Sequence, residues 1–280
     1  MKLCKANRDG SYSTQATRRR ILDRIANQLH ELGYKHMQAK SLKPKHVEAL
    51  VSLWKDQGLS VGTLKNLLSG LRWWARHVGK PDIIPKNNDA FDIGKRSQVA
   101  KESKAWELKE AHLARITDKN VVLSLRLQAE FGLRREEAIK FSPNYAIKGD
   151  HIKLKASWTK GGRARTVPIL NDEQRVLLGR VKALAKGGAL IPPDKNYEKQ
   201  LHRYERQIRT AGIKNPHGLR HAYAQRRYEE LTSWKAPAAG GPASKSLSID
   251  QRALDKGARE TIAEELGHSR EQISARYLGR

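Results

Sequence analysis

The chain is poor in cysteine, in acidic residues and in long apolar stretches. Its 280 residues include one cysteine, Cys4, so no disulfide can form within the chain and the composition suits a reducing compartment. No apolar run approaches the roughly 20 residues that a membrane-spanning helix needs. The first ten residues lack an apolar core followed by a cleavage site, so we expect no secretory signal. These absences disfavour disulfide-stapled, secreted and membrane-spanning classes of protein.

The shortage of acidic residues leaves a large positive charge. Lys and Arg number 55 against 29 Asp and Glu, which gives a formal net charge of +26 and a pI near 10.3. An excess of this size indicates a polyanionic partner, most often nucleic acid, with a membrane surface as the competing explanation. A chain of this length has room for two domains with ample cores. We therefore expect a cytoplasmic protein that works on DNA.

Helical periodicity dominates the first ninety residues. Apolar stripes begin at Ile21, Val47 and Leu64 and end near Gly33, Gly58 and Gly79. The pattern predicts a compact helical DNA-binding domain over residues 1–90. Its candidate DNA-contacting residues are Arg18, Arg19, Arg20, Lys43, Lys45, Lys65 and Arg72. The alternative, that these basic residues form an ordinary solvated helix face, stays open.

A second domain follows a stretch in which periodicity fades. We predict an interdomain linker at 91–104 and a catalytic domain at 105–280. Helical patterns cover 121–131, 172–185 and 197–211, while residues 145–169 alternate in the manner of strands. Residues 232–248 are rich in Ala, Gly, Pro and Ser and predict an exposed loop. The basic segment around the strands adds Arg163 and Arg165 to the candidate DNA contacts.

Three separated motifs in this second domain carry chemistry. They are Gly132-Leu133-Arg134-Arg135-Glu136-Glu137, Pro216-His217-Gly218-Leu219-Arg220-His221, and Leu266-Gly267-His268-Ser269 with Tyr277 nine positions after His268. Arginine suits the stabilisation of a phosphate under attack, because it is always charged and grips two oxygens at once. His217 and Arg220 are three apart on a predicted helix and so share one face.

The same motifs supply an attacking group and its activation. Tyr277 is the candidate nucleophile, and since a phenol is mostly protonated at neutral pH, it needs a base or a cationic field nearby. We expect Arg134, Arg220 and the histidines to supply that field. Glu137, one turn after Arg134, is expected to hold the arginine's guanidinium, and His221 is expected to be a supporting residue.

The leaving 5′-oxygen of a phosphodiester needs a proton. Lys160, in a turn flanked by glycine, is the candidate general acid, and Lys155 and Arg163 are the competitors for that role. A tyrosyl ester keeps the energy of the broken bond, so a second hydroxyl can reverse the step without ATP.

His217 and His221 also have a spacing that suits a zinc site. Gly218, however, stands where a metalloprotease helix has glutamate, and no cysteine pair or acidic cluster lies nearby in sequence. We expect no metal and no cofactor.

Together these residues resemble the tyrosine recombinases, the lambda-integrase-type site-specific recombinases. Gly-Leu-Arg-x-x-Glu at 132–137 is similar to the family's first arginine box, His217-x-x-Arg220 to the second, and Leu266-Gly267-His268-Ser269 with Tyr277 to the third box and nucleophile. Lys160, followed by Arg165-Thr166-Val167-Pro168, matches the family's hairpin lysine. The resemblance implies catalytic roles for Arg134, Lys160, His217, Arg220, His268 and Tyr277.

The resemblance also implies an architecture and an activity. The fold would be mainly α with a small β-sheet, an N-terminal helical core-binding (SAM-like) bundle preceding a C-terminal α+β catalytic domain. The two domains would clamp DNA, and a tetramer would act on two sites through a four-way junction. The activity would be that of a phage or mobile-element integrase using a 3′-phosphotyrosyl intermediate, with DNA-bending or directionality proteins as accessory partners.

Two features depart from the family pattern. The predicted insertion at 232–257 lengthens the stretch between the second and third boxes, and only three residues follow Tyr277. The short tail puts in doubt an assembly in which the C-terminal tail docks onto a neighbouring subunit. Alternatively, the insertion takes over the packing between subunits. Two other functions stay open: a type IB topoisomerase-like enzyme with the same chemistry but no synapsis, and an inactive DNA-binding module.

Overall fold

The computed structural model describes residues 2–159 and 161–280, and helices make up most of it. The helices are α1 (Lys2–Ala6), α2 (Tyr12–Glu31), α3 (Pro44–Asp56), α4 (Val61–His77), α5 (Glu110–Leu113), α6 (Lys119–Phe131), α7 (Arg135–Ile139), α8 (Pro143–Ala146), α9 (Asp172–Ala185), α10 (Tyr197–Thr210), α11 (Gly218–Thr232), α12 (Ile249–Glu265) and α13 (Ala275–Leu278). The strands are β1 (Ile147–Lys148), β2 (His151–Leu154) and β3 (Arg165–Pro168). The predicted fold class, mainly α with a small sheet, is confirmed. Lys160 lies outside the described residues.

The longer helices begin where the sequence offers a capping side chain. Such a residue accepts a hydrogen bond from a backbone N–H of the first turn that has no partner within the helix. The caps of α2, α4, α9, α10 and α12 are Ser11, Ser60, Asn171, Asn196 and Ser248. Helix α3 instead starts with Pro44, whose missing N–H costs nothing at the first helical position.

The chain divides into two compact units, Met1–Ser97 and Gln98–Arg280. In the first unit, the stripes of α2, α3 and α4 meet around Trp54, which is fully buried and donates its indole N–H to Gln28 at 2.8 Å. Ile84 and Ile93 are also buried in this core. The core of the first unit therefore continues past residue 90, into the segment predicted as a linker.

In the second unit, α6 is the central helix, because its apolar residues contact two cores. Leu127 and Phe131 belong to a core with α9, α11 and the sheet, while Val121 and Leu125 belong to another with Tyr204 of α10. A wide apolar face lets one helix pack against both cores, while Arg126 of α6 forms an ion pair with Glu110. None of the described helices is long and apolar enough to cross a membrane.

The sheet of the second unit is antiparallel in the order β1-β2-β3. Leu154 of β2 pairs with Arg165 of β3, and Ile152 pairs with Val167. Since alternate residues of a strand share a face, Arg165 lies on the same buried face as Val167. The register therefore turns a charged side chain toward the interior of the unit.

The structure differs from the predicted insertion loop at 232–257 and from the predicted exposed loop at 232–248. Helix α12 begins at Ile249, because Ser248 and Gln251 cap its first turn reciprocally. The preceding segment is not a solvated loop either, since Ala236, Ala238 and Leu247 are buried. Ala236 belongs to the same core as Tyr228 and Tyr277, and Ala238 lies against Gly279 near the end of the chain.

Candidate active site

The first motif places Arg134 at the start of α7. Glu137, one turn later, accepts hydrogen bonds from the Arg134 backbone N–H at 2.7 Å and from its guanidinium at 2.8 Å. The Arg134 side chain is 20% exposed, whereas that of Glu137 is fully buried. The buried Glu137 carboxylate therefore orients the Arg134 guanidinium, and the partly exposed Arg134 side chain remains accessible to a ligand.

Glu137 holds a second arginine that the sequence assigned to another role. Arg165 donates two hydrogen bonds to the carboxylate of Glu137, at 2.7 and 2.6 Å, and its Nε donates to the Glu265 carbonyl at 2.9 Å. Burial alone would raise the pKa of Glu137, but the hydrogen bonds and charge of Arg165, with the charges of Arg220 and Arg134, lower that pKa to about 2. Glu137 is thus an ionised centre between arginines.

The buried position of Arg165 does not fit the predicted DNA contact, because its guanidinium is bonded within the fold. Its role is to orient Glu137, which in turn orients Arg134. The alternation of Arg165 with Val167 in a strand was the signal for an inward side chain.

Arg220 connects the motifs to one another. On the first turn of α11 and only 1% exposed, it donates to the carbonyls of Gly132 and Leu266, and its Nε donates to the Tyr277 hydroxyl at 3.3 Å. Gly132 belongs to the first motif and Leu266 to the third. Burial lowers the pKa of Arg220 to about 10, so it stays charged at neutral pH.

Three histidines surround the Tyr277 ring. The ring centroids of His221, His268 and His217 lie 4.6, 5.6 and 6.1 Å from that of Tyr277. Burial first, and then neighbouring cations, lower all three pKa values, that of His221 to about 4 and that of His268 to about 3. The lowered pKa values favour the neutral form of the three histidines in the DNA-free protein.

Two of these imidazoles carry a nitrogen that is free to act. Among the described residues, His221 Nδ1 and His268 Nε2 are buried without a hydrogen-bond partner. A neutral imidazole can accept a proton or donate one, whereas an imidazolium can only donate. The field at Tyr277 comes from arginine, and the histidines supply proton-transfer capacity beside it.

Tyr277 lies on the short helix α13 and is 6% exposed. Besides the hydroxyl contact with Arg220, its backbone carbonyl accepts a hydrogen bond from Gln225 Nε2 at 2.9 Å. Gln225, two turns after His217 on α11, had no signal in the sequence, since glutamine at a buried helical position is a common core residue.

Comparison with known proteins assigns the chain. The family model described as "Phage integrase, N-terminal" matches residues 1–84, and that described as "Integrase" matches residues 93–226. The chain belongs to the tyrosine recombinase family. The second match includes Arg134, His217 and Arg220 and ends before His268 and Tyr277. No curated protein sequence matches the recombinase.

Solved structures of similar fold cover nearly the whole recombinase. The XerH recombinase in a post-cleavage complex with a palindromic difH substrate is 20% identical, with a TM-score of 0.61 over 100% of this chain and 80% of that one. The Tn1549 transposon integrase with transposon right end DNA is 16% identical, with a TM-score of 0.56 over 97% and 90%. A lambda integrase tetramer bound to a Holliday junction is 15% identical, with a TM-score of 0.58 over 99% and 75%. At these identities the likeness shows the fold.

Several basic residues predicted to contact DNA are engaged within the recombinase. Arg18 pairs with Asp9 at 2.8 Å and lies over the Trp73 ring, and Arg72 donates to the Pro85 carbonyl and to Asn88. Lys65 is half-buried, and the exposed members of the set are Arg19, Arg20, Lys43, Lys45 and Arg163. The exposed members are the candidates that keep a free surface for a phosphate backbone.

Of the two competitors for the general-acid role, Lys155 is held by aromatic rings. Its Nζ lies 4.2 Å from the Tyr145 ring centroid and 5.6 Å from that of Trp158. Arg163 is exposed. In residues 2–159 and 161–280, no three His, Cys, Asp or Glu side chains are grouped so that they could hold a metal ion.

Proposed function

We propose that this recombinase cuts and rejoins double-stranded DNA at specific sites through a 3′-phosphotyrosyl intermediate on Tyr277. The observation that carries the proposal is the bonding of Arg220, which joins the first motif, the third motif and the Tyr277 hydroxyl at one buried point. A phenol next to a guanidinium is disposed to react as phenolate.

The reaction uses the described groups in distinct roles. Arg134, with its exposed guanidinium, binds the nonbridging oxygens, and Arg220 stabilises both those oxygens and the developing phenolate. The Tyr277 oxygen forms a bond to phosphorus while the bond to the 5′-oxygen breaks. The neutral histidines can take the phenolic proton, and the phosphate's negative charge would raise their pKa values as it arrives. We assign the proton for the 5′-oxygen to Lys160.

The N-terminal unit supplies a second DNA-binding surface in this proposal. In this proposal the unit Met1–Ser97 acts as the core-binding domain and the unit Gln98–Arg280 as the catalytic domain. The predicted linker, 91–104, is divided between these two units. The exposed basic residues of α2 and α3 would contact phosphates. The lambda integrase tetramer on a Holliday junction supports a tetramer on paired sites, and the transposon integrase supports a mobile element as the source.

Nicked suicide substrates test the proposal. Binding selection from random duplexes first recovers a site, and a nicked version of it should then trap a covalent adduct that is lost in Tyr277→Phe while site binding persists. Tyr197→Phe, a half-buried tyrosine on α10, is the matched control and should keep the adduct. An exchange assay between two sites follows.

The outcomes separate the candidate functions. Adduct with exchange supports the recombinase, and adduct without exchange supports a topoisomerase-like enzyme. A chain that binds the site but forms no adduct is a DNA-binding module. Adduct that survives Tyr277→Phe would assign the nucleophile elsewhere.

A further inference from the structure

The nucleophile lies on an element that cannot hold itself in place. Helix α13 has four residues, and a helix this short is not stable without tertiary contacts. The Ala275 carbonyl accepts a hydrogen bond from the Ala100 N–H at 2.9 Å, and the Tyr277 carbonyl accepts one from Gln225 at 2.9 Å. These two bonds hold the amino side of the helix and the nucleophile's own backbone.

A buried arginine holds the carboxyl side. Arg259, on α12 and 2% exposed, donates from Nη1 to the Gly279 carbonyl at 2.9 Å, two residues past Tyr277. Its Nε donates to Asp255 Oδ1 at 2.8 Å, and its Nη2 donates to Ser244 at 3.3 Å.

The acidic partner of Arg259 is itself fixed in position. The Tyr228 hydroxyl donates to Asp255 Oδ1 at 2.5 Å, and the Trp234 indole N–H donates to Tyr228 at 3.2 Å. Burial and the Asp255 carboxylate raise the pKa of Tyr228 to about 12, so it remains a donor at neutral pH. Trp234 and Ser244 both come from the segment between α11 and α12.

That segment also lies directly against the backbone after the nucleophile. Gly279 has a φ of +73°, and a Cβ placed on it would be 2.8 Å from the Ala238 nitrogen and 3.1 Å from the Ala100 carbonyl oxygen. Only glycine fits such an approach of two backbones. Ala236 and Ala238 are buried beneath it.

We propose that Arg259, oriented by Asp255, is a positioning residue for the nucleophile, and that residues 234–247 form the surface against which the backbone of Tyr277 is held. The proposal rests on the function proposed above for Tyr277. The hydrogen bonds to the carbonyls of Ala275, Tyr277 and Gly279, which we call the anchor, fix the backbone on both sides of the nucleophile. They do not restrain the side-chain torsions of Tyr277, which bring the phenol to phosphorus. A misplacement of about 1 Å can lower a reaction rate on the order of a hundredfold.

The test compares Arg259→Met with Arg259→Lys, which keeps the charge, at saturating suicide substrate. The control is Arg203→Met, which breaks the ion pair between Arg203 of α10 and Asp118, at the start of α6. We expect adduct formation to slow by about tenfold to a hundredfold in Arg259→Met, with partial recovery in Arg259→Lys, little change in Arg203→Met and unchanged DNA affinity in all three.

Repeating the comparison in the Tyr277→Phe variant distinguishes a positioning role of Arg259 from a general disruption of the active site. In Tyr277→Phe, hydrogen peroxide supplies the attacking oxygen, so cleavage depends on the phosphate-activating residues and not on the nucleophile's backbone. Adding Arg259→Met should leave this peroxide-driven cleavage unchanged. An equal loss in both backgrounds, or no loss in either, overturns the proposal.

A measurement without DNA separates this proposal from the proposed function. Amide hydrogen exchange in residues 275–280 should be faster in Arg259→Met than in wild type and Arg203→Met. Unchanged exchange overturns the anchor even if wild type never forms an adduct, and faster exchange supports it in that case too. If Arg259→Met does not fold, the variant Gly279→Ala is used in its place in all measurements. It displaces the same backbone without uncovering a buried charge.

Discussion

At the scale of single residues, Tyr277 differs from Tyr223 and Tyr228 in the hydrogen-bond partner of its hydroxyl. Tyr223 and Tyr228 donate to the carboxylates of Glu265 and Asp255, at 2.7 and 2.5 Å. Burial and these carboxylates raise both pKa values, so neither forms a phenolate readily. The Tyr277 hydroxyl instead accepts a hydrogen bond from the Arg220 guanidinium, at 3.3 Å.

The proposed general acid, Lys160, and the proposed phosphate-binding arginines should respond differently to a better leaving group. Lys160→Ala should slow cleavage of ordinary DNA severely, and a 5′-bridging phosphorothiolate should largely restore it, because a thiolate leaves without a proton. Arg134→Ala removes stabilisation of the nonbridging oxygens and should stay defective on both substrates. Adduct formation on the two substrates measures this.

Failure of the phosphorothiolate to rescue Lys160→Ala would move the general-acid role. Lys155, held by two aromatic rings, and the exposed Arg163 are then tested in the same way, together with His217.

The buried histidine nearest Tyr277 makes the fold sensitive to acid. Burial, His217, Lys104 and Arg220 lower the pKa of His221 from 6.5 to about 4. Above pH 6.5 it is neutral in both states; as pH falls toward 4, only the unfolded chain takes up the proton, and the free energy of unfolding decreases. Over that window, the loss from this residue is about 3 kcal/mol.

The substitution His221→Phe removes this titration and keeps an aromatic ring in the site. Urea unfolding between pH 7 and pH 4 should show a shallower loss of stability in the variant than in wild type. Parallel curves would mean that His221 does not have a lowered pKa. The pKa of Glu137 is also lowered, from 4.5 to about 2. Its contribution to the free energy of unfolding is therefore lost mainly below the range of this experiment, as the pH falls from about 4.5 toward 2.

At the scale of elements, the chemistry collects where helices begin or where two helices join. Arg134 precedes α7, His217 precedes α11, and His268 follows α12. Such positions present side chains and free backbone groups together, and Arg220 uses two of those backbone carbonyls. The backbone conformation of the loop between α6 and α7 is therefore as important to the site as the side chains of that loop, because its Gly132 carbonyl binds Arg220.

Gly132 allows that loop to lie against α11. Its φ is +59°, and a Cβ would be 2.5 Å from the Tyr223 ring. Gly149 has a φ of +67° with nothing within 4 Å, so it is a matched control for backbone strain alone. Gly149→Ala should cost about 1–2 kcal/mol of stability and leave cleavage intact.

Gly132→Ala should cost more stability than the control and should also slow cleavage, since the Gly132 carbonyl holds Arg220. Thermal unfolding and the adduct assay measure the two effects. Equal behaviour of the two variants would show that the approach to Tyr223 is not needed for the site.

At the scale of the whole molecule, the net charge of +26 determines how binding depends on salt. A protein that neutralises several phosphates releases their counterions, so the affinity for a site duplex should fall by roughly two to four powers of ten between about 50 and 200 mM salt. Titrations at several salt concentrations give the slope. A nearly flat dependence would show that the charge serves something other than backbone contact.

Much of this molecule follows from local sequence. The apolar stripes predicted helices at the positions of α2, α3, α4, α9 and α10, because periodicity acts over a few residues. The motifs named Arg220, the three histidines and Tyr277, but they did not indicate Gln225. Tertiary structure decided the rest. Arg165 bonds with Glu137, 28 positions away, and Arg259 with Gly279, 20 positions away. Neither partner can be chosen without the fold, since a buried charge is tolerated only where packing brings an opposite charge or a carbonyl to it. The same packing buried Ala236, Ala238 and Leu247 in a segment expected to be an exposed loop, and it lowered the histidine pKa values.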